Sequence, residues 1–325
     1  MFREKASSET QERIKIAVVG IGGVGGYFGG KLAHAFQDKT GPLAEIHFVA
    51  RGQHLEAIRK RGLVLKTSDQ KEWICKPQSA TDRFEQLPEI DVFVIAVKGY
   101  DLDDVSRSLS GKTKKQTVFL PLLNGMDIVE RMRRYIQGGI ILPACVYISA
   151  FIEEPGVVAH IGNPGRIILG PDSETGYRPD PLLRVFEAAS ILNEYRQDAL
   201  SAIWEKYIFI AGYGLVSARF DKSLDEIYGD DVLRNLLKAI MEEIYQIAVR
   251  KSIALPQNIV DASIQKARLF PRGTQTSLQR DVNQKKKKTE LDLFGKAILD
   301  QAETFDVSTP ISRRICGELL DKISK

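Results

Sequence analysis

Short, continuously apolar runs alternate with helix-like stretches through the first half of the chain, and helical periodicity alone fills the second half. "IKIAVVG" (14–20) and "EIHFVAR" (45–51) are β-rich runs on either side of a helical stretch reaching about residue 36, which makes a βαβ unit. "DVFVIAVK" (91–98) and "TVFLPLLN" (117–124) are apolar at nearly every position, so they predict strands of a sheet covered on both faces. "GLVLKT" and "EWICKPQ" (62–78) read as a hairpin-like insertion. From 140 to 170 the pattern is again strands, with glycine turns that suggest antiparallel edge pieces.

A stretch rich in proline, glycine and acidic residues, "PDSETGYRPDP" (171–181), predicts a domain boundary, placed near residue 173. Beyond it come segments such as "ALSAIWEKYIFIAGYGLVSA", "DVLRNLLKAIMEEIYQIAVRK" and "ISRRICGELLDKIS", which predict an all-helical second domain. A chain of 325 residues fits two domains, each able to bury its own interior. There is no repeat of fixed period, which disfavours a solenoid.

Composition narrows the function classes. With 43% apolar and 27% charged residues the chain has an ordinary globular make-up. A formal net charge of +4 suits an anionic small ligand, and no nucleic-acid-binding module accompanies it. The run Lys285–Lys288 reads as a solvated loop. Cys75, Cys145 and Cys316 lie far apart with no paired spacing, which predicts small buried side chains in a reducing, cytoplasmic setting and no metal site. The beginning, "MFREKASSETQERIK", lacks a signal-type apolar stretch and is expected to be a flexible leader over 1–13. The longest nearly apolar segment, "YIFIAGYGLVSA" (207–218), is too short to span a bilayer.

The chemistry starts at "IAVVGIGGVGGYFGGKLA" (16–33). Gly20, Gly22 and Gly25 fit GxGxxG, with Gly23 and Val24 between them. Alone the pattern is weak, but here it follows an apolar strand and opens a helix inside a βαβ unit. The first glycine permits the turn, the second lets a pyrophosphate approach, and the third lets helix and strand pack closely. The second strand ends in "FVARGQH", with Arg51 where an NAD site usually carries an acid, and a guanidinium there fits the 2′-phosphate of NADP. Lys98 and Asn124 end two further strands, so Gly20, Arg51, Lys98 and Asn124 should line one crevice. "NGMDIVERMRRYI" reads as a turn into a helix, with Asp127 as N-cap and Glu130 three residues on, and this disfavours a hairpin at Asn124-Gly125.

Reduction of a carbonyl needs a group that gives the new alkoxide a proton or hydrogen bond. In "SAIWEKYIFIAGYG", Lys206 stands among apolar neighbours that could desolvate it, although spacing alone equally allows a snorkelling lysine. Glu290 and Ser277 read by themselves as an ordinary helix-start glutamate and a cap or loop serine.

Along nearly its whole length the chain resembles the ketopantoate reductase family, through "IAVVGIGGVGG", "VARGQHLEAIRKRGL", "VKGYDL", "LLNGMD", "IWEKYIF", "TSLQRDV", "TELDLFG" and "TPISRRICGEL" in that order. The resemblance implies an α/β fold with a Rossmann-type NADP-binding domain over 14–172. It also implies an all-α domain over 173–325, like the C-terminal domain of 6-phosphogluconate dehydrogenase. It implies that Lys206 is the catalytic lysine acting on the substrate C2 oxygen, and that Glu290 contacts the substrate hydroxyl region and that lysine. Asn124 would lie between cofactor and substrate, Lys98 near the nicotinamide ribose, and Ser277 at the substrate carboxylate. Gly20, Gly22, Gly23, Val24, Gly25 and Arg51 would hold NADP(H).

The implied activity is NADPH-dependent reduction of 2-dehydropantoate to (R)-pantoate in pantothenate and coenzyme A synthesis, by a monomer or homodimer with no nucleic-acid or membrane partner. Two departures bear on the substrate. Ile210 and Gly214 stand where the family usually carries asparagines, and the spacing from Asp281 to Glu290 is one residue longer than usual. The alternatives are reduction of another branched or aromatic 2-oxo acid, or a catalytically silent NADP-binding regulator.

Overall fold

The structure is a computed structural model describing residues 13–37, 43–286 and 288–324. The expected leader therefore lies, except for Arg13, outside the described residues. The strands are β1 (Ile14–Val19), β2 (Ala44–Val49), β3 (Leu63–Lys66), β4 (Glu72–Cys75), β5 (Ser79–Thr81), β6 (Val92–Ile95), β7 (Val118–Pro121), β8 (Ile140–Ile141), β9 (Ala144–Glu154), β10 (Val157–Leu169) and β11 (Leu192–Tyr195). Among them run helices α1 (Gly23–Phe36), α2 (Gly52–Arg61), α3 (Leu102–Leu109), α4 (Ile128–Arg133) and α5 (Asp180–Ala188). The rest is helical: α6 (Ala199–Phe220), α7 (Leu224–Gly229), α8 (Asp231–Arg250), α9 (Ile259–Gln265), α10 (Ser277–Asn283), α11 (Ala297–Thr304) and α12 (Pro310–Ser324).

β5, β2, β1, β6, β7 and β8 form, in that order, a parallel six-stranded sheet. Strand order reverses between β1 and β6, which opens a crevice beyond their carboxyl ends. Alternation explains why these strands are apolar throughout. Ile16, Val18, Phe48 and Leu120 enter one core with α1, whereas Ala17, Val19, Ile95 and Phe119 enter another that continues into the helical half.

β8 apart, the strands from 62 to 78 and from 140 to 170 do not extend this sheet. They form a second one, ordered β11-β10-β3-β4 with β9 antiparallel to β10, and α1 lies between the two sheets. β3 and β4 pair as the expected hairpin. β10 is bordered on both sides, by β3 and β11 as well as β9, so it is not an edge piece.

The stretch after the boundary expected at residue 173 packs first with the sheets. Leu182, Leu183, Val185 and Phe186 of α5 are buried in the core around α1, and β11 pairs in parallel with β10. Polar loop composition at 171–181 marks a surface crossing, while the apolar face of α5 decides which half it joins. The helical half therefore starts with α6, and the stretch from 173 is not helical throughout. α6 is apolar on nearly all faces because α8, α9, α10 and α12 surround it.

Candidate active site

The glycine stretch leaves β1 through Gly20 at φ +91°, a backbone state that favours glycine. Gly22 is the N-cap of α1 and no side chain caps the helix, so its first N–H groups are not satisfied by a capping side chain. No atom lies within 4 Å of where a Cβ on Gly22 would stand, and this leaves room for a phosphate. At Gly25 a Cβ would fall 1.9 Å from the Gly20 carbonyl oxygen, so that glycine serves close helix–strand packing. Gly23 has a different reason: its Cβ position lies 2.0 Å from the Ala150 carbonyl oxygen, where β9 crosses α1. Val24 packs, half-buried, against the core around α1.

Arg51 follows β2 at the N-cap of α2 with its guanidinium largely exposed. The fold brings a carboxylate to this strand end from the loop after β6, that of Asp101, and Arg51 Nη2 donates to its Oδ2 at 2.7 Å. Sequence position cannot reveal a partner 50 residues away. Lys98, after β6, donates to Glu290 Oε2 at 2.5 Å. Desolvation works against the Lys98 ammonium, but the Glu290 carboxylate, together with Asp281 and Tyr100, outweighs it and raises the pKa.

Asn124 follows β7, with α4 after it, so strand, turn and helix replace the hairpin alternative. Asp127 occupies the N-cap position without making a capping bond. Its carboxyl is buried with Oδ1 unpartnered, and burial pushes its pKa up to about 6. The expected capping box is thus absent.

Lys206 extends from α6 toward these strand ends. Its ammonium donates to Asn124 Oδ1 at 2.6 Å and to the carbonyl oxygen of Val146, and lies 5.1 Å from the ring centroid of Tyr147. Desolvation lowers its pKa from 10.5 to about 8, against the weaker pull of Cys145 and Glu290. A snorkelling lysine would carry its ammonium out into water, whereas this half-buried side chain turns it onto Asn124 and the Val146 carbonyl.

Glu290 was expected to contact this lysine. Its direct partner is Lys98, and it reaches Lys206 only through space. Ser277 is the first residue of α10, and the capping side chain is that of Thr276, which accepts from Gln279 N–H at 3.1 Å. Among the described residues Ser277 makes no hydrogen bond to Lys98, Asn124, Lys206 or Glu290. Val146 and Tyr147 were missed, because a backbone carbonyl and one strand tyrosine leave no motif. Of the lysine run, Lys286 pairs with Asp281 at 2.5 Å and Lys288 lies over the Tyr100 ring, so these two are not simply solvated; Lys287 lies outside the described residues.

Ile210 and Gly214 follow Lys206 at one and two helical turns on α6. A Cβ at Gly214 would meet nothing nearer than Leu278 and Phe294, both at 4.0 Å. Among the described residues there is no group of three or more His, Cys, Asp or Glu side chains that could hold a metal, and no helix long and apolar enough to cross a membrane.

A parallel sheet with a glycine-rich first turn, facing a helical half that supplies a desolvated lysine, defines the class of dinucleotide-binding oxidoreductases. Residues 16–174 match the family model "Ketopantoate reductase PanE/ApbA", and residues 198–322 match its C-terminal counterpart. The chain belongs to the ketopantoate reductase family. It is 26% identical over 275 residues to the 2-dehydropantoate 2-reductase of Streptococcus pyogenes, covering 81% of this chain and 84% of that one. The crystal structure of 2-dehydropantoate 2-reductase from Porphyromonas gingivalis superposes with a TM-score of 0.80 at 29% identity, covering 95% of this chain and 100% of that one. A D-mandelate dehydrogenase solved with NADH and anilino(oxo)acetate shares the fold, with a TM-score of 0.82 at 19% identity over 96% of this chain and 99% of that one.

Proposed function

We propose that this protein is an NADPH-dependent reductase of a 2-oxo acid, with 2-dehydropantoate as substrate and (R)-pantoate as product, on the route to pantothenate. The observation that carries this reading is Lys206, a desolvated ammonium held at 2.6 Å by Asn124 where the two halves meet. The residues present fit the cofactor: Gly22 leaves space at the uncapped start of α1, and Arg51 presents an exposed guanidinium for the 2′-phosphate. NADPH, when bound, supplies the hydride that reduces the substrate's C2.

Lys206 donates the proton, or a strong hydrogen bond, to the C2 oxygen as charge develops on it. A pKa of about 8 keeps the lysine protonated at neutral pH yet able to give up that proton. Asn124 fixes the direction of the ammonium, and Lys98 with Glu290 completes the polar wall of the crevice. Ser277 at the start of α10 is assigned to the substrate carboxylate.

A second reading keeps this chemistry with a bulkier apolar 2-oxo acid, supported by the apolar residues Ile210 and Gly214 one and two turns beyond Lys206. Turnover of a panel of 2-oxo acids, followed by loss of NADPH absorbance in wild type and Lys206→Ala, tests both. Preference for 2-dehydropantoate supports the first reading, and preference for an aromatic or longer branched acid supports the second. Equal rates with and without Lys206 would remove both.

A further inference from the structure

Leu293 is fully buried in the wide π-helical turn Asp292–Lys296, directly after Glu290 and Leu291. Turns of this kind interrupt α-helices mostly where function demands a displaced residue. Its side chain crosses from the helical half to the strand ends of the other half. A Cβ on Gly99 would fall 2.4 Å from Leu293 Cγ, and one on Gly125 would fall 2.6 Å from Ile128 Cδ1 and 3.2 Å from Leu293 Cδ2. These two glycines directly follow Lys98 and Asn124. The missing Gly99 side chain makes the socket into which the isobutyl group fits, and Gly125 borders that socket together with Ile128.

The backbone of Leu293 reaches the other two site residues. Its carbonyl oxygen accepts the hydroxyl hydrogen of Tyr207, the residue after Lys206, at 2.6 Å, and its N–H donates to the Glu290 carbonyl at 3.0 Å. Arg131 reinforces the joint from α4, donating to the Gly99 carbonyl at 3.0 Å and to Asp292 Oδ2 at 3.5 Å. Lys98, Asn124, Lys206 and Glu290 come from four separate segments, and each is adjacent or hydrogen-bonded to a contact of this one leucine.

We propose that Leu293 is a positioning residue of the site: seated against Gly99 and Gly125 and tethered by Tyr207, it sets the spacing of Lys98, Asn124, Lys206 and Glu290. The role assigned to those four groups rests on the oxidoreductase reading above, whereas the seating of Leu293 does not. A tightly packed joint of this sort holds discrete arrangements and does not yield gradually, so a changed side chain there is felt at all four groups.

The experiment compares wild type with Leu293→Ala, Leu293→Met, Gly99→Ala, Tyr207→Phe and the double variant Gly99→Ala/Leu293→Ala. Two readouts are taken: kcat against NADPH affinity, and the pH midpoint of trace acetylation of Lys206 by acetic anhydride, read by mass spectrometry. Leu293→Ala and Gly99→Ala are each expected to lower kcat about tenfold. NADPH affinity should stay within about threefold, because the glycine turn is untouched. The Lys206 midpoint should rise by about one unit as the ammonium gains solvent.

Leu293→Met should retain wild-type behaviour, and the double variant should regain most of what Gly99→Ala loses, since the added methyl then has room. Tyr207→Phe, which removes only a hydroxyl, should move the same readouts less and remains informative should Leu293→Ala not fold. Losses that multiply in the double variant, or a Lys206 midpoint unchanged in every variant, overturn the proposal. Turnover that survives Lys206→Ala overturns the oxidoreductase reading instead, and the acetylation midpoints then decide the positioning role by themselves.

Discussion

Lys206 donates a hydrogen bond to Asn124 Oδ1 at 2.6 Å, joining the first long helix of one half to the end of a central strand of the other, 82 residues away in sequence. The bond holds a partly dehydrated ammonium at the mouth of the nucleotide-binding crevice. Its consequences are open to direct measurement.

Lys206→Ala is expected to lower kcat for oxo-acid reduction by on the order of a hundredfold or more while NADPH binding persists. Burial holds the Lys206 pKa at about 8, and the ammonium is the form proposed to act as the acid. Reduction should therefore be full below that value and fall as pH rises through it. A kcat/KM profile flat to about pH 9 would contradict an acid with this pKa.

Arg51→Ala should weaken NADPH binding on the order of tenfold to a hundredfold with little effect on NADH, since a charge-assisted contact to phosphate is lost. Asp101→Asn should act in the opposite sense, because it removes the carboxylate that holds Arg51 at 2.7 Å. Equilibrium titration of both nucleotides checks each. Equal weakening of NADH and NADPH by Arg51→Ala would deny Arg51 a role at the 2′-phosphate.

Asp127 is 5% exposed and its pKa is pushed from 3.8 up to about 6 by desolvation, against the pull of Arg131. The folded protein holds this proton to a higher pH than the unfolded chain does. Stability contributed by the group is therefore full below pH 3.8 and is lost as pH rises toward 6. Asp127→Asn does not titrate, so its stability relative to wild type should improve by about 2–3 kcal/mol between acid and neutral pH. Urea unfolding at the two pH values measures this, and an identical difference at both would refute it.

Two glycines two residues apart on α6, and so on different faces of it, should respond with opposite signs. A Cβ at Gly214 meets nothing nearer than 4.0 Å, so Gly214→Ala should stabilise the helix by about 0.5–1 kcal/mol. At Gly212 a Cβ would lie 2.8 Å from the Met241 side chain, so Gly212→Ala should destabilise through crowding between α6 and α8. Thermal unfolding of the two variants settles the order.

By itself the sequence determined the parallel sheet, its glycine turn and the polar residues at its strand ends, because each is written locally: an apolar run, then a break, then a side chain. It also specified the long apolar helix bearing Lys206, since 3.6-residue periodicity and a buried composition need no distant partner. Tertiary structure decided what those residues touch. The Asp101 carboxylate reaches Arg51, Glu290 takes Lys98 in preference to Lys206, and the Val146 carbonyl holds the lysine, through contacts spanning 50 to 192 residues that no local pattern encodes. The half to which α5 and β11 belong was likewise settled by packing. A polar loop shows where the chain surfaces, but only the facing core determines on which side it is buried again.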